Sequence, residues 1–207
     1  MLGTLAPDLS SSLADGRRLL LASTSPFRRE LLARLQLPFQ VVAPHVDETP
    51  LQDERPVDLT ARLAESKAGA VATAEFRALV IGSDQVAVLD GRILGKPGSH
   101  ERALAQLTRA SGRTVMFYTG LCLLDSDSGR RQVEVAPFRV VFRRLTEAQI
   151  ERYLRREQPY HCAGSFKSEG LGIALFERLE GEDPTSLIGL PLIRLIRMLE
   201  AEGVQVV

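Results

Sequence analysis

Residues Leu19 to Leu35 read LLLASTSPFRRELLARL, and the way this stretch breaks points to an α/β fold. Four apolar residues, Leu19 to Ala22, run into the polar turn Ser23-Thr24-Ser25. Pro26 then opens a segment in which Phe27, Leu31, Leu32 and Leu35 fall close together on a helical wheel, so the stretch predicts strand, tight loop and helix. Ser25 is a favourable N-cap, and Pro26 suits the first helical position, where a missing N–H has no partner to lose. The capped end presents free N–H groups and the positive end of the helix dipole. Arg28 and Arg29 stand in the same turn, where the dipole alone favours acids. An anion site and a plain helix start with two solvated arginines fit this stretch equally well.

With 207 residues and 44% hydrophobic content, the chain can bury the core of one ordinary domain. Lys plus Arg and Asp plus Glu number 26 each, so no overall field recruits nucleic acid or an anionic membrane. Cys122 and Cys162 match no metal spacing and read as small buried thiols of a reducing compartment. Residues 1–16 lack the basic and apolar segments of a secretory leader, and no apolar run approaches the ~18 residues of a membrane span. These features predict a soluble, cytosolic protein with a loose tail over residues 1–16 and a single domain over residues 17–207.

Outward from the opening stretch, Phe39 to Ala43 predicts a second strand, followed by an acidic loop carrying Asp47, Glu48, Asp53 and Glu54. Pro56 to Phe76 predicts a long helix that buries Leu59, Leu63, Ala70 and Val71. Lys67 lies near this stripe, where most lysines snorkel. Leu79 to Ser83 predicts an apolar strand ending at Asp84-Gln85. Val86 to Leu89 and Arg92 to Leu94 then flank Asp90-Gly91, a type I′ hairpin signal that delivers Lys96. Ser99 opens a helix that Gly112 ends. Thr114 to Leu124 and Gln132 to Phe142 predict an antiparallel pair at the centre of the sheet. Thr146 and Gln149 form a capping box, with Leu145 and Ile150 as its staple, so a helix starts at Glu147 and stops by Gln158-Pro159. The turn-rich HCAGSFKSEGLG is a ligand-loop candidate. Ile173 to Leu179 predicts a last strand, and Pro191 to Glu200 a closing helix.

Chemistry concentrates at two predicted strand ends, Ser23 to Arg29 and Asp84, and open α/β sheets bind ligands beyond such ends. Arg28, Arg29, Lys67 and Lys96 are suited to neutralise a polyphosphate, and Glu48 and Asp84 to hold Mg²⁺ together with waters and phosphate oxygens. Asp84 taken alone reads as a turn residue. His161 and Cys162 are adjacent and face opposite ways in an extended segment, which excludes a nucleophile–base pair. Neither GxxxxGK[ST] nor a GxGxxG after a strand is present.

Taken in order, ASTSPFRRELL, APHVDET, ESKA, IGSDQ, LGKP and CAGSFKSEG resemble the successive motifs of the Maf family of nucleoside triphosphate pyrophosphatases, from about Leu19 onward. The resemblance implies a mixed α/β sheet with flanking helices and two lobes around a central cleft, in the manner of inosine triphosphatases. It also implies a divalent cation, Mg²⁺ or Mn²⁺, a nucleotide substrate cut between its α and β phosphates, and a homodimer at family level. It makes Ser23, Ser25, Arg28, Arg29, Lys67 and Lys96 triphosphate binders. The family's acidic residues match Glu48 and Asp84, the candidate metal ligands, and Asp84 matches the residue usually assigned as general base, so that Asp84 is either base or metal ligand. Phe27, Gln85 and Glu169 stand where members acting on dTTP and UTP carry Arg, Thr and Gln, and so resemble the YceF-like branch, which acts on 7-methyl-GTP. That branch often has Trp where Phe27 stands. An aromatic face attracts the cationic methylated base, and a Glu169 carboxylate accepts from guanine N–H groups. Core packing of Phe27 is the plainer alternative. The rival functions are a pyrophosphatase for dTTP, UTP or other nucleotides, and a nucleotide-binding regulator of septum formation without essential turnover.

Overall fold

The structure, a computed structural model, describes residues 12–207. Its first strand, β1 (Arg18–Ala22), is followed by helix α1 (Pro26–Ala33), the short β2 (Gln40–Val42) and helix α2 (Pro56–Ala72). Then come β3 (Ala78–Leu89), β4 (Arg92–Leu94), α3 (His100–Ala110), β5 (Thr114–Asp125), β6 (Arg131–Phe142) and α4 (Glu147–Glu157). A 3-10 turn over Leu171–Leu175 leads into β7 (Phe176–Glu180), and α5 (Pro184–Ile188) and α6 (Leu192–Ala201) follow.

The strands form one mixed sheet in the order β2-β1-β3-β5-β6-β7, with β4 pairing β3. β1 pairs both β2 and β3 in parallel, while all other pairs are antiparallel. β5 holds the centre of this sheet, but β6 stands next to its edge.

Asp84 does not end a strand, because β3 is continuous for 12 residues and Asp84 lies inside it. The reason is tertiary: β5 pairs with β3 along nearly its whole length, from Leu79 opposite Asp125 to Val88 opposite Met116. On the other side of β3, pairing with β1 stops at Gly82 and pairing with β4 begins only at Ala87. Residues 83–86 therefore sit at a gap where a parallel neighbour has ended and an antiparallel one has not begun. That is the switch point at which α/β sheets open a crevice.

Side chains alternate across β3. One face carries Gly82, Asp84 and Val86 toward α2, which buries Leu59, Leu63, Ala64, Ala68 and Val71 there. The other face packs Leu79 and Ile81 against α1 and α6, and Ala87 and Leu89 against α3 and α4. The cleft opens between those two apolar clusters. Helix α2 lies so close to the sheet that a Cβ built on Gly82 would stand 2.0 Å from the Ala64 carbonyl oxygen, and one on Gly120 would stand 2.1 Å from that of Thr60.

Other boundaries shift. α2 ends at Ala72, short of Phe76, and Ala70 is exposed. β7 begins at Phe176 because the 3-10 turn takes up Ile173. α5, whose Asp183 cap accepts from Thr185 N–H, had no clear signal in the sequence. The hairpin, with φ of 51° and 75° at Asp90 and Gly91, and the Thr146–Gln149 capping box form as read. Residues 1–11 of the expected tail lie outside the described residues, but Leu13 is buried against the α1–α6 cluster, so order begins before Arg17.

Candidate functional site

A cavity of about 830 Å³ opens at the switch point, within the range of small-molecule sites. Its walls come from the β1–α1 turn, the acidic loop before α2, α2 itself, the middle of β3, the residues after β4, and the 161–169 loop.

The turn after β1 is internally wired. Ser23 Oγ accepts from the Ser25 N–H at 3.1 Å, and Ser25 Oγ caps α1 by accepting from Arg28 N–H at 3.4 Å. Arg28 does not extend into solvent. Its Nε donates to Gly189 O at 2.9 Å and its Nη1 approaches Ser23 Oγ at 3.4 Å, so the guanidinium lies along the cleft wall. Burial pushes its pKa down, and the negative charges of Asp84 and Glu48 pull it back up. Arg29, by contrast, is exposed and does not line the cleft. Successive helical residues point about 100° apart, so only one of the two arginines turns inward.

Lys67 departs most from its sequence reading. It is buried at 5% exposure and does not snorkel. Its Nζ sits 2.6 Å from Asp84 Oδ1 and 2.7 Å from Glu48 Oε1, bridging the two carboxylates. The bond from Lys67 holds Glu48 below the ordinary carboxylate range, with the Lys67, Lys96 and Arg28 charges assisting. Lys96 follows β4 on the cleft rim and is exposed.

Phe27 lines the cleft and belongs to none of the apolar clusters, so it does not serve the core. Gln85 faces the side of the sheet opposite Asp84, yet both reach the cavity because the edge of β3 is bare there. Glu169 is exposed on the opposite wall.

The 161–169 loop is held from beneath. Phe166 packs edge-on against Phe117, Phe142 and Phe176, with ring centroids 4.8 to 5.7 Å apart. Lys167 Nζ donates to Glu157 O and Oε1 at 3.1 and 3.2 Å, and Leu171 N–H donates to Glu157 Oε2 at 2.9 Å. Glu157 thus clamps both sides of Glu169. The Leu171 N–H, and after it Lys167, hold the Glu157 carboxyl below the ordinary glutamate value of 4.5. A carboxylate whose folded pKa is depressed adds stability above its unfolded value and loses it as pH falls through the folded one. Protection of the 166–171 amides, taken relative to their intrinsic exchange rates, is therefore expected to fall only below about pH 4.5, and Glu157→Ala should bring that lowered protection to neutral pH. Slow exchange of this loop in the variant at neutral pH would show that Phe166 suffices.

The donor set bears on a metal. Among the described residues, no group of three or more His, Cys, Asp or Glu side chains is placed to cage an ion. Glu48 and Asp84 each leave one oxygen without a protein hydrogen bond among those residues. Two carboxylates with spare oxygens beside a cationic cleft suit Mg²⁺ or Mn²⁺ that completes its shell with water and phosphate oxygens. Burial pushes the Cys122 thiol up to about 12 and also raises Cys162, which agrees with excluding thiol chemistry.

One cavity at the switch point of a mixed sheet thus gathers cations, paired carboxylates and an aromatic wall. The chain belongs to the Maf family: residues 18–202 match the family described as Maf-like protein. It is 63% identical over 185 residues to the 7-methyl-GTP pyrophosphatase of Nitrosococcus oceani, an alignment that covers 89% of this chain and 93% of that relative.

Proposed function

We propose that the protein is a metal-dependent pyrophosphatase that hydrolyses 7-methyl-GTP to 7-methyl-GMP and diphosphate, removing a modified nucleotide from the pool. The observation that carries the chemistry is the Glu48–Lys67–Asp84 chain set against the capped turn of α1 in a single cleft. The name of the Nitrosococcus oceani relative supports the choice of substrate.

Arg28 and Lys96, with the Ser23–Ser25 turn, hold the β and γ phosphates, where guanidinium and ammonium donors match phosphate oxygens. Arg29 serves at most from outside this cleft. Lys67 fixes Asp84 through Oδ1, leaving Oδ2 to orient a water toward the α phosphorus and take its proton. The same cations stabilise the charge that builds on the leaving diphosphate. Glu48 would hold the divalent cation through its free oxygen, with waters and phosphate oxygens completing the shell, and the cation would supply further charge neutralisation at the phosphates; Asp84 Oδ2 is the alternative ligand in place of its role toward the water. Phe27 offers a π face to the cationic base. Gln85 and Glu169 read its edge. The same reading has the enzyme act on a free nucleotide in the cytosol, with neither nucleic acid nor membrane as partner, and as a homodimer.

A nucleotide panel tests this reading. A cation over an aromatic face gains about 0.5–2 kcal/mol, so 7-methyl-GTP should exceed unmethylated GTP in kcat/KM by about 2- to 30-fold. It should exceed dTTP and UTP by more, because they also forfeit the guanine N–H contacts. Faster diphosphate release from dTTP or UTP would overturn the substrate.

A further inference from the structure

The Gln85 side chain is not free to choose which end of its amide it shows a ligand. Its Nε2 lies 2.8 Å from Ser186 O, 3.1 Å from Leu187 O and 2.9 Å from Thr119 Oγ1. Thr119 stands directly opposite Gln85 in the β3–β5 ladder and is completely buried. Its hydroxyl lies 2.9 Å from Ser186 O, to which it donates, so toward Gln85 the same oxygen acts as an acceptor. Three acceptors thus converge on one end of the amide. Turned the other way, Oε1 would face two carbonyl oxygens with no proton between them. That leaves a buried clash of like partial charges and unsatisfied groups. Both amide hydrogens are consumed within the protein. Oε1 has no hydrogen bond to any described residue, and Gln85 lines the cleft.

We infer that Thr119, with the Ser186 and Leu187 carbonyls, is a positioning device that makes Gln85 an obligate acceptor, so the site reads guanine through its N–H donor edge. The inference rests on the substrate reading above and adds the residue that enforces it. Gln85 and the Glu169 carboxylate then present acceptors only. Guanine offers N1–H and an exocyclic amine to such a pair, whereas the carbonyl groups of uracil and thymine would meet oxygen with oxygen. An amide free to turn would accept either edge and discriminate poorly.

The test compares wild type, Thr119→Val and Thr119→Ser on 7-methyl-GTP and on 7-methylinosine triphosphate, which lacks the exocyclic amine, with GTP, dTTP and UTP alongside. Wild type should favour 7-methyl-GTP over the inosine analogue by roughly three- to tenfold in kcat/KM, the worth of one hydrogen bond. In Thr119→Val the Ser186 and Leu187 carbonyls still disfavour a turned amide, but Nε2 loses its partner on β5, so that ratio should shrink by about two- to threefold, through KM and with kcat little changed, as expected for loosened orientation rather than lost chemistry. Thr119→Ser keeps the hydroxyl and should restore the ratio, which a purely packing role for the threonine would not produce. A Thr119→Val enzyme with the wild-type ratio overturns the positioning role while leaving the substrate reading intact. A wild type that prefers dTTP or UTP overturns the substrate reading, and this inference with it.

Discussion

Asp84→Asn should reduce diphosphate release by about 10²–10⁴-fold, the usual contribution of a positioned general base, while nucleotide binding survives. The substitution keeps the shape of the side chain and removes its charge. Lys67 does not become a buried, unpaired cation, because Glu48 Oε1 remains 2.7 Å from Nζ. The fold should therefore hold, with a melting temperature near that of wild type. The loss belongs to kcat, since what disappears is the ability to take a proton from water. Steady-state kinetics with 7-methyl-GTP, paired with a direct measurement of nucleotide affinity, separate these effects. Near wild-type turnover in Asp84→Asn would remove this carboxylate from the chemistry, whatever its contacts.

Gly82→Ala should be the most damaging small substitution in the sheet. The added methyl would stand 2.0 Å from the Ala64 carbonyl oxygen and 2.8 Å from Ala68 N, both main-chain atoms of α2 that cannot swing aside as a side-chain tip can. The helix must lift, at a cost of about 3 kcal/mol or more. For a domain of this size that corresponds to a melting temperature lower by about 6–12 °C. Lys67 rides on the lifted segment, so activity should fall further than stability alone requires. Gly69→Ala, within the same helix, is the internal comparison, because nothing lies within 4 Å of its added methyl. It should stabilise by about 0.5–1 kcal/mol through helix propensity. Thermal melts of the two variants read opposite signs if the close approach is real, and equal stability would show that α2 slides without penalty.

Local signals in the sequence were dependable where one segment satisfies itself. The Ser25 cap, the Asp90-Gly91 turn and the Thr146–Gln149 capping box each bond within a few residues, so their chemistry is visible in a short window. Lys67 was not legible in the same way. Its stripe position is that of a snorkelling lysine, and only the placement of α2 against Gly82 and Gly120 brings it to Asp84. The resemblance to a known family marked Lys67 as a phosphate binder and Asp84 as an acidic site residue, but it did not pair the two. Asp84 read as a strand end because a Ser-Asp-Gln run is polar, whereas β5 carries the strand straight through it. Helical geometry also sorted two neighbouring arginines that a sequence treats alike, sending Arg28 to the cleft and Arg29 to solvent. Thr119, Ser186 and Glu157 gave no signal at all. Thr119 and Ser186 act through register and a main-chain carbonyl, and Glu157 through a carboxylate that meets its partners only once the loop after α4 has folded back on it.

The carbonyl of Gly189 holds Arg28 across 161 positions of sequence, and that of Ser186 holds Gln85 across 101. A ribosome delivers this chain from its N-terminus, and early segments begin to fold as they emerge. The strands that frame the cleft are therefore complete well before the turn that orders its two recognition groups exists. A nascent chain stalled before residue 183 would carry Asp84, Lys67 and most of the sheet. Its phosphate and base contacts would still be without their anchors, so competence to recognise a nucleotide arrives late in synthesis, in one step, when that turn docks.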